Sequence, residues 1–272
     1  MNNYLLFGNG WIGNKFKDYL KAPLSFADIT NTTAVNEAIE SNKPSVIINC
    51  AGKTGKPNID WCEDHSLETF ISNVQGPLTL ANICRERDIH FVHISSGCIY
   101  TGDNNGQGYS ETDTPNYFGS FYSRSKIMAE ELLKSYSLLT LRLRMPVDKA
   151  PHGRNLITKL VKYQRVINVP NSLSMVDDFL YASKLLMEKE RTGIYNIVNP
   201  GALGHVKILE LYKEIVDPSY TFSLMSTEEL RKITKSGRSN CILSTKKLES
   251  EGIILPPIEN AIRDCLIHYK NY

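Results

Sequence analysis

Tyr4-Leu5-Leu6-Phe7-Gly8-Asn9-Gly10-Trp11-Ile12-Gly13 is the stretch that decides how this chain folds. Four apolar residues make a short buried strand. The next six fit G-x-G-x-x-G where a helical pattern begins. The three glycines do different things. Gly8 permits a tight turn, Gly10 lets backbone approach a pyrophosphate, and Gly13 lets the helix pack on the strand. The helix then aims unpaired N–H groups at the anion. Trp11 and Ile12 fill the loop between the glycines. A glycine turn without a ligand is the alternative, and the flanking strand and helix weigh against it.

Outward from this loop, apolar runs alternate with helical patterns. Residues 46–51, 89–95 and 139–144 read as strands, and 34–42, 67–87 and 122–136 have helical spacing. That alternation predicts an α/β fold with helices on both faces of a parallel sheet. Right-handed crossovers make it doubly wound, of Rossmann type. After Pro146 the pattern loosens. Residues 1–147, with 166–200 returning, form the expected dinucleotide-binding domain. Residues 148–165 and 201–272 form a smaller C-terminal substrate-binding lobe, with helices expected at 156–162 and 257–269. A further strand is expected at 194–198.

The 272 residues suffice for a sizeable core. Lys and Arg number 31 against 29 Asp and Glu, and the +2 balance without a basic block points away from nucleic acid. No apolar run reaches the roughly 18 residues of a membrane span. Met1-Asn2-Asn3-Tyr4 lacks the basic start of a secretory leader. A cytoplasmic protein, free of membranes, is expected. The six cysteines have neither C-x-x-C nor zinc-finger spacing, so reduced thiols and no metal are expected.

Asp28 lies about 20 residues beyond the loop, where an acidic ribose clamp is expected. A helix N-cap is the even alternative. Tyr122-Ser123-Arg124-Ser125-Lys126 is Y-x-x-x-K, which sets Tyr122 and Lys126 on one helix face. A neighbouring ammonium is expected to lower the phenol's pKa, so that Tyr122 can exchange a proton with a sugar or alcohol oxygen. Ser96, at the end of the preceding strand, can donate to the same oxygen.

Ser96, Tyr122 and Lys126 together resemble the short-chain dehydrogenase/reductase superfamily, in the extended branch that works on nucleotide sugars. Asn73-Val74-Gln75-Gly76-Pro77-Leu78-Thr79-Leu80-Ala81 is similar to a helix of that branch. The resemblance implies cofactor contacts at Ile29, Ala51, Gly52, Asn73, Tyr122, Lys126 and Met145 besides the loop and Asp28. Further stretches narrow it: Gly10-Trp11-Ile12-Gly13, Gly55-Lys56-Pro57-Asn58-Ile59-Asp60-Trp61-Cys62-Glu63, Gly97-Cys98-Ile99, Asp113-Thr114-Pro115-Asn116, Gly119-Ser120-Phe121-Tyr122-Ser123, Arg154-Asn155-Leu156-Ile157-Thr158-Lys159 and Pro170-Asn171-Ser172. Over nearly the whole chain they resemble the bifunctional UDP-4-keto-6-deoxyglucose 3,5-epimerase/4-reductases that make UDP-L-rhamnose, of the plant and giant-virus type. More distantly the chain resembles dTDP-4-dehydrorhamnose reductase and GDP-fucose synthase.

The resemblance implies a homodimer acting on a UDP-sugar, with Cys98 and Lys159 as the acid/base pair that inverts C3 and C5. Alternation in an extended segment puts Cys98 on the same side as Ser96, and a nearby cation would make its thiol a usable base. By resemblance, Arg238 binds the pyrophosphate and Asn155 contacts the substrate. Residues 168–171 are a candidate uridine loop. NADPH is the implied cofactor, with Lys15 as a candidate 2′-phosphate partner. Asp28 alone would favour NADH. His152 and His205 are reserve candidates for the base. A reductase without epimerase activity and a non-catalytic NADP(H)-binding subunit are the alternatives. Cys98 and Lys159 speak against the first, and the intact Ser96, Tyr122 and Lys126 against the second.

Overall fold

The computed structural model describes residues 3–272; Met1 and Asn2, which open the N-terminal reading, lie outside the described residues. Strands and major helices alternate along the chain as β1 (Tyr4–Phe7), α1 (Trp11–Leu20), β2 (Leu24–Ser25), α2 (Thr32–Asn42), β3 (Val46–Asn49), α3 (Gly76–Glu86), β4 (His90–Ser96), α4 (Phe121–Leu133), β5 (Leu139–Leu143), α5 (Val176–Glu188) and β6 (Gly193–Ile197). The strands form one parallel sheet in the order β2-β1-β3-β4-β5-β6. This is the doubly wound fold that the alternation predicts.

The two faces follow from the period of two along each strand. Leu5, Phe7, Ile47 and Phe91 meet Val35 and Ile39 of α2, Leu80 of α3 and Leu133 of α4. Leu6, Ile48, Val92 and Leu141 point the other way, onto Phe16 of α1 and Phe179 and Leu180 of α5. Burying each such side chain contributes roughly 1.5–3 kcal/mol. Among the described residues no helix is long and apolar enough to cross a membrane.

The helix expected over 67–87 is interrupted. It runs as Ser66–Phe70, a π-turn at Ile71–Gln75, and then α3. Pro77 offers no N–H to the turn before it. At Gly76 an added Cβ would lie 2.3 Å from Ile29 Cδ1, so a larger residue there would have to displace the Ile29 side chain. A second core, with Ile157, Leu160, Leu209, Ile262 and Leu266, holds the smaller lobe together.

The domain division needs two corrections. Val166, Leu173 and Met175 pack in the lobe's core, not with the sheet. Leu248, Ile253 and Leu255, assigned to the lobe, pack in the sheet's core. The short helix Lys246–Ser250 packs against β6, which is the sheet's edge and needs a cover.

Beneath the sheet lies a buried ion pair. Arg142 Nη2 donates to Glu130 Oε2 at 2.7 Å and Nε to Oε1 at 3.1 Å, while the Ser95 hydroxyl donates to Oε1 at 2.6 Å. It ties α4 to β4 and β5. Glu130→Ala should therefore cost about 3–5 kcal/mol, because Arg142 is left charged without its partner. Urea denaturation measures this, and a loss below about 1 kcal/mol would mean that Arg142 finds other compensation.

Candidate active site

Strand order reverses at β1, and ligands enter such sheets beside the carboxyl ends of the strands at the reversal. Backbone packing there is tight. A Cβ on Gly8, whose φ is +104°, would lie 2.2 Å from Ala51 N, and one on Gly13 would lie 2.0 Å from Gly8 O. A Cβ on Gly10 would meet nothing within 4 Å. Gly8 and Gly13 thus lock α1 onto the strands, and Gly10 leaves the cradle open. No side chain caps α1, so its first N–H groups remain available for an anion. This cradle fits the pyrophosphate of a dinucleotide.

A cavity of about 700 Å³ runs from the cradle into the smaller lobe. Of the residues singled out in the sequence, Gly10, Trp11, Ile12, Gly52, Ser96, Cys98, Tyr122, Met145, Lys159 and Arg238 line it. Trp11 stacks on His152 of the lobe, with ring centroids 4.9 Å apart. Met145 turns the chain at the end of β5 with φ +38°. Asp28 is exposed, and its carboxylate accepts from Thr30 N at 2.9 Å and Thr30 Oγ1 at 2.8 Å, which holds it below the usual carboxylate range. The N-cap of α2 is Asn31, not Asp28. Ile29 packs in the core.

Asn73 is fully buried. Its Oδ1 accepts from Lys53 N at 2.7 Å, and its amide donates to Lys53 O and Ser125 Oγ, each at 3.0 Å. It therefore anchors the loop carrying Gly52 to α4.

Ser120 caps α4, accepting from Ser123 N at 3.1 Å, and so sets the turn that carries Tyr122. Cys98 does not extend β4. The strand ends at Ser96 and the chain turns, with Cys98 N donating to Ser96 Oγ at 3.1 Å. That turn, rather than strand alternation, brings both side chains to the cavity. Accepting there leaves the Ser96 hydroxyl its own proton, which it directs toward Tyr122.

The expected lowering of the Tyr122 pKa is not found. Burial pushes the phenol up, Cys98 adds to this, and the Ser96 hydroxyl opposes it only in part. Tyr122 is thus protonated at neutral pH, the form a proton donor needs. Lys126 lies buried below, its Nζ donating to Ile94 O at 3.2 Å, and burial brings its pKa down to about 8. Lys159 is lowered by burial and then by Arg154.

Several other expectations change. Asn155 is buried away from the cavity and caps the helix Leu156–Leu160, accepting from Ile157 N at 3.2 Å while its amide donates to Asp148 O at 2.7 Å and Ala150 O at 2.9 Å. No polar atom of it is left for a substrate. Lys15 pairs with the carboxylate of Asp148. Asn171 is buried, and its Oδ1 accepts from Arg144.

Arg238 reaches the cavity, but Asp60 grips it, with Nη1–Oδ1 at 2.8 Å and Nη2–Oδ2 at 2.9 Å. Arg238 and then Ser236 hold the Asp60 carboxyl far below its usual range against the opposing effect of burial. Arg154 of the lobe donates to Thr54 Oγ1 and Gly55 O, each at 2.8 Å. Two arginines therefore strap the loop over 54–60 to the lobe.

Sequence reasoning missed Arg144, which lines the cavity at the end of β5 and donates to Cys98 Sγ at 2.7 Å. The signal for it is a charge at the carboxyl end of a strand expected to be buried. His205 also lines the cavity; burial and then Arg144 bring it down to about 4, so the ring is neutral.

Residues 15–182 match the model of the RmlD substrate binding domain. The chain belongs to the RmlD family. It is 42% identical over 262 residues to the bifunctional dTDP-4-dehydrorhamnose 3,5-epimerase/dTDP-4-dehydrorhamnose reductase of Arabidopsis thaliana, covering 92% of this chain and 87% of that one. It is similar to trifunctional UDP-glucose 4,6-dehydratase/UDP-4-keto-6-deoxy-D-glucose 3,5-epimerase/UDP-4-keto-L-rhamnose-reductases of the same plant at 38% identity, but spans only 41% of their length. The crystal structure of the UDP-rhamnose synthase from Acanthamoeba polyphaga mimivirus superposes with a TM-score of 0.93 at 34% identity, covering 97% of this RmlD-family chain and 98% of that chain. More distant members share the fold: a Bacillus anthracis dTDP-4-dehydrorhamnose reductase in complex with NADP superposes with a TM-score of 0.81 at 18% identity.

Lys126 supplies a pH test. With its folded pKa at about 8 against an ordinary 10.5, the unfolded chain binds the extra proton between those values, so stability rises with pH across that window. Lys126→Met lacks this term. Its stability relative to the parent should fall by up to about 3 kcal/mol from about pH 7 to about pH 11, measured by urea melts. A difference that does not move with pH would show that Lys126 keeps an ordinary titration.

Proposed function

We propose that this chain converts UDP-4-keto-6-deoxy-D-glucose to UDP-L-rhamnose by 3,5-epimerisation and 4-keto reduction, using NADPH. One observation carries the reading: Ser96, Cys98, Tyr122 and Lys159 line a single cavity that begins at the dinucleotide cradle. The plant and viral relatives, named for rhamnose nucleotide-sugar chemistry, support it. The UDP moiety rests on the sequence resemblance and the viral relative, since the plant protein is named for dTDP-sugars.

In this reading Gly8, Gly10 and Gly13 would hold the cofactor pyrophosphate, with Gly52 and Met145 lining the same cavity. Lys126, under Tyr122, holds the ribose. NADH is the alternative reductant, because Lys15 is engaged by Asp148 and leaves the 2′-phosphate without an assigned cation.

Epimerisation needs a base and an acid at carbons next to the C4 ketone. Cys98 takes the proton from one face and Lys159 returns one from the other. The C–H electron pair moves onto the C4 oxygen, where Ser96 and Tyr122 donate. When bound, the cofactor would supply the hydride for C4, and Tyr122 delivers its proton to the C4 oxygen. The raised pKa of Tyr122 keeps that proton in place until negative charge develops beside it. One pair of donors thus serves both reactions. A reductase without epimerase activity would leave Cys98 and Lys159 in the cavity with nothing to do.

Tyr122→Phe keeps the ring and loses the proton, so C4 reduction should fall by about 10²–10⁴-fold with cofactor binding nearly intact. Turnover within about a factor of two of the parent would remove Tyr122 from the mechanism.

The epimerase half is read in D2O with UDP-4-keto-6-deoxyglucose. The parent should incorporate deuterium at C3 and C5 and yield L-rhamnose, identified by NMR. Cys98→Ala and Lys159→Ala should each lose exchange at one or both carbons, yet still bind the cofactor. Parent-like exchange in both variants would assign the acid/base pair elsewhere. A parent enzyme that reduces without any exchange would leave the reductase alone.

A further inference from the structure

Arg144 is 1% exposed, yet it borders the cavity. Its Nη1 donates to Cys98 Sγ at 2.7 Å. Its Nη2 donates to Asn171 Oδ1 at 2.5 Å and to Ser239 O at 2.7 Å. These acceptors are themselves fixed. Asn171 Oδ1 also accepts from Cys241 N at 3.0 Å, and the Asn171 amide donates to Asn240 Oδ1 at 3.0 Å. The Ser239 hydroxyl donates to Tyr100 O at 2.6 Å. Pinned from so many sides, the guanidinium cannot follow a ligand. It can only fix what it touches.

The charge balance around it is incomplete. A buried cation is costly unless an anion compensates it. Among the described residues no carboxylate forms an ion pair with Arg144, whereas Arg142, on the strand just before it, has Glu130. An amide oxygen and a peptide carbonyl are neutral. Of the groups that Arg144 hydrogen-bonds, only the sulfur of Cys98 can carry a negative charge; Cys241 and Tyr122 also feel the guanidinium, but burial pushes both of them up toward the neutral form. Cys98 lines the cavity, as does Ser239, which meets Arg144 only through its neutral backbone carbonyl.

We propose that Arg144 is the positioning residue for Cys98, holding its sulfur as a thiolate aimed into the cavity. The proposal rests on the epimerase reading and adds the source of the base's charge. In the step itself a C–H bond at C3 or C5 breaks and an S–H bond forms. The electron pair ends on the C4 oxygen, so negative charge moves from sulfur to a site already lined by Ser96 and Tyr122. Lys159 then gives a proton to the carbon from the other face, and solvent carries the proton from Cys98 back to Lys159. Arg144 is never consumed. A guanidinium has no proton to give near neutral pH, so it holds charge without competing as an acid.

The test needs no substrate. Alkylation of Cys98 by iodoacetamide is followed by mass spectrometry of its peptide, because the thiolate is the reacting form. In the parent protein the rate should change less than about twofold from about pH 8 to about pH 6.5, where an ordinary free thiol loses more than about tenfold. Arg144→Met should slow the reaction about tenfold or more near pH 7, and Arg144→Lys should restore much of it. A role in packing alone would not separate Met from Lys in this way. If Arg144→Met does not fold, the parent's pH profile still decides. A parent profile that falls like a free thiol, or an Arg144→Met variant that reacts like the parent, overturns the proposal. Deuterium exchange separates the two readings: fast, pH-independent alkylation without exchange at C3 or C5 keeps the Arg144–Cys98 pair and removes the epimerase.

Discussion

The side chain of Asn73 couples two parts of the site that the sheet alone would leave independent. It bonds both backbone groups of Lys53 and the hydroxyl of Ser125. The first contact fixes the loop after β3, which borders the glycine cradle and carries Thr54, Gly55 and Asp60. The second fixes α4, which carries Tyr122 and Lys126. To reach both, the helix around Asn73 widens into a π-turn at Ile71–Gln75, a deviation that clusters at functional sites. The loop that the two arginines strap and the helix that carries Tyr122 meet at this one amide.

The contrast between Arg142 and Arg144 shows how position changes the meaning of a buried charge. Both lie in or just after β5 and both are almost fully buried. Arg142 meets Glu130, and the pair is internally complete. Arg144 meets neutral oxygens and one sulfur. The first arrangement serves to join elements. The second leaves an electrostatic demand that, among its hydrogen-bond partners, the sulfur alone can meet. Residue type and burial are alike in the two cases, and the partners alone separate them.

How much of this is legible in the sequence depends on range. The glycine loop and Tyr122/Lys126 are legible because their geometry is set by spacings of two to four residues on one element. The parallel sheet follows from alternating patterns. Asn155 and Asn171 are misjudged because an asparagine that caps a helix or brackets an arginine reads like one that meets a ligand. The partners of Asn171 lie 27 and 70 residues away. Cys98 reaches the cavity by a turn that strand periodicity does not predict. The direction of the Tyr122 shift depends on burial, which the Y-x-x-x-K pattern says nothing about.

The path of the C-terminal chain bears on how such proteins can be recombined. Residues 240–243 lie along 102–109 through bridges from Gly102 to Cys241 and from Tyr109 to Leu243, and Leu248, Ile253 and Leu255 then fill the space under the sheet. The bracket around Cys98 draws on segments near 97, 144, 171 and 239. The smaller lobe is therefore not a cassette. A chimera that exchanges everything after Pro146 for another family member's sequence would replace half of the bracket and part of the sheet's own core. Transplanting substrate preference calls for scattered substitutions on an intact parent, made where the lobe alone lines the cavity.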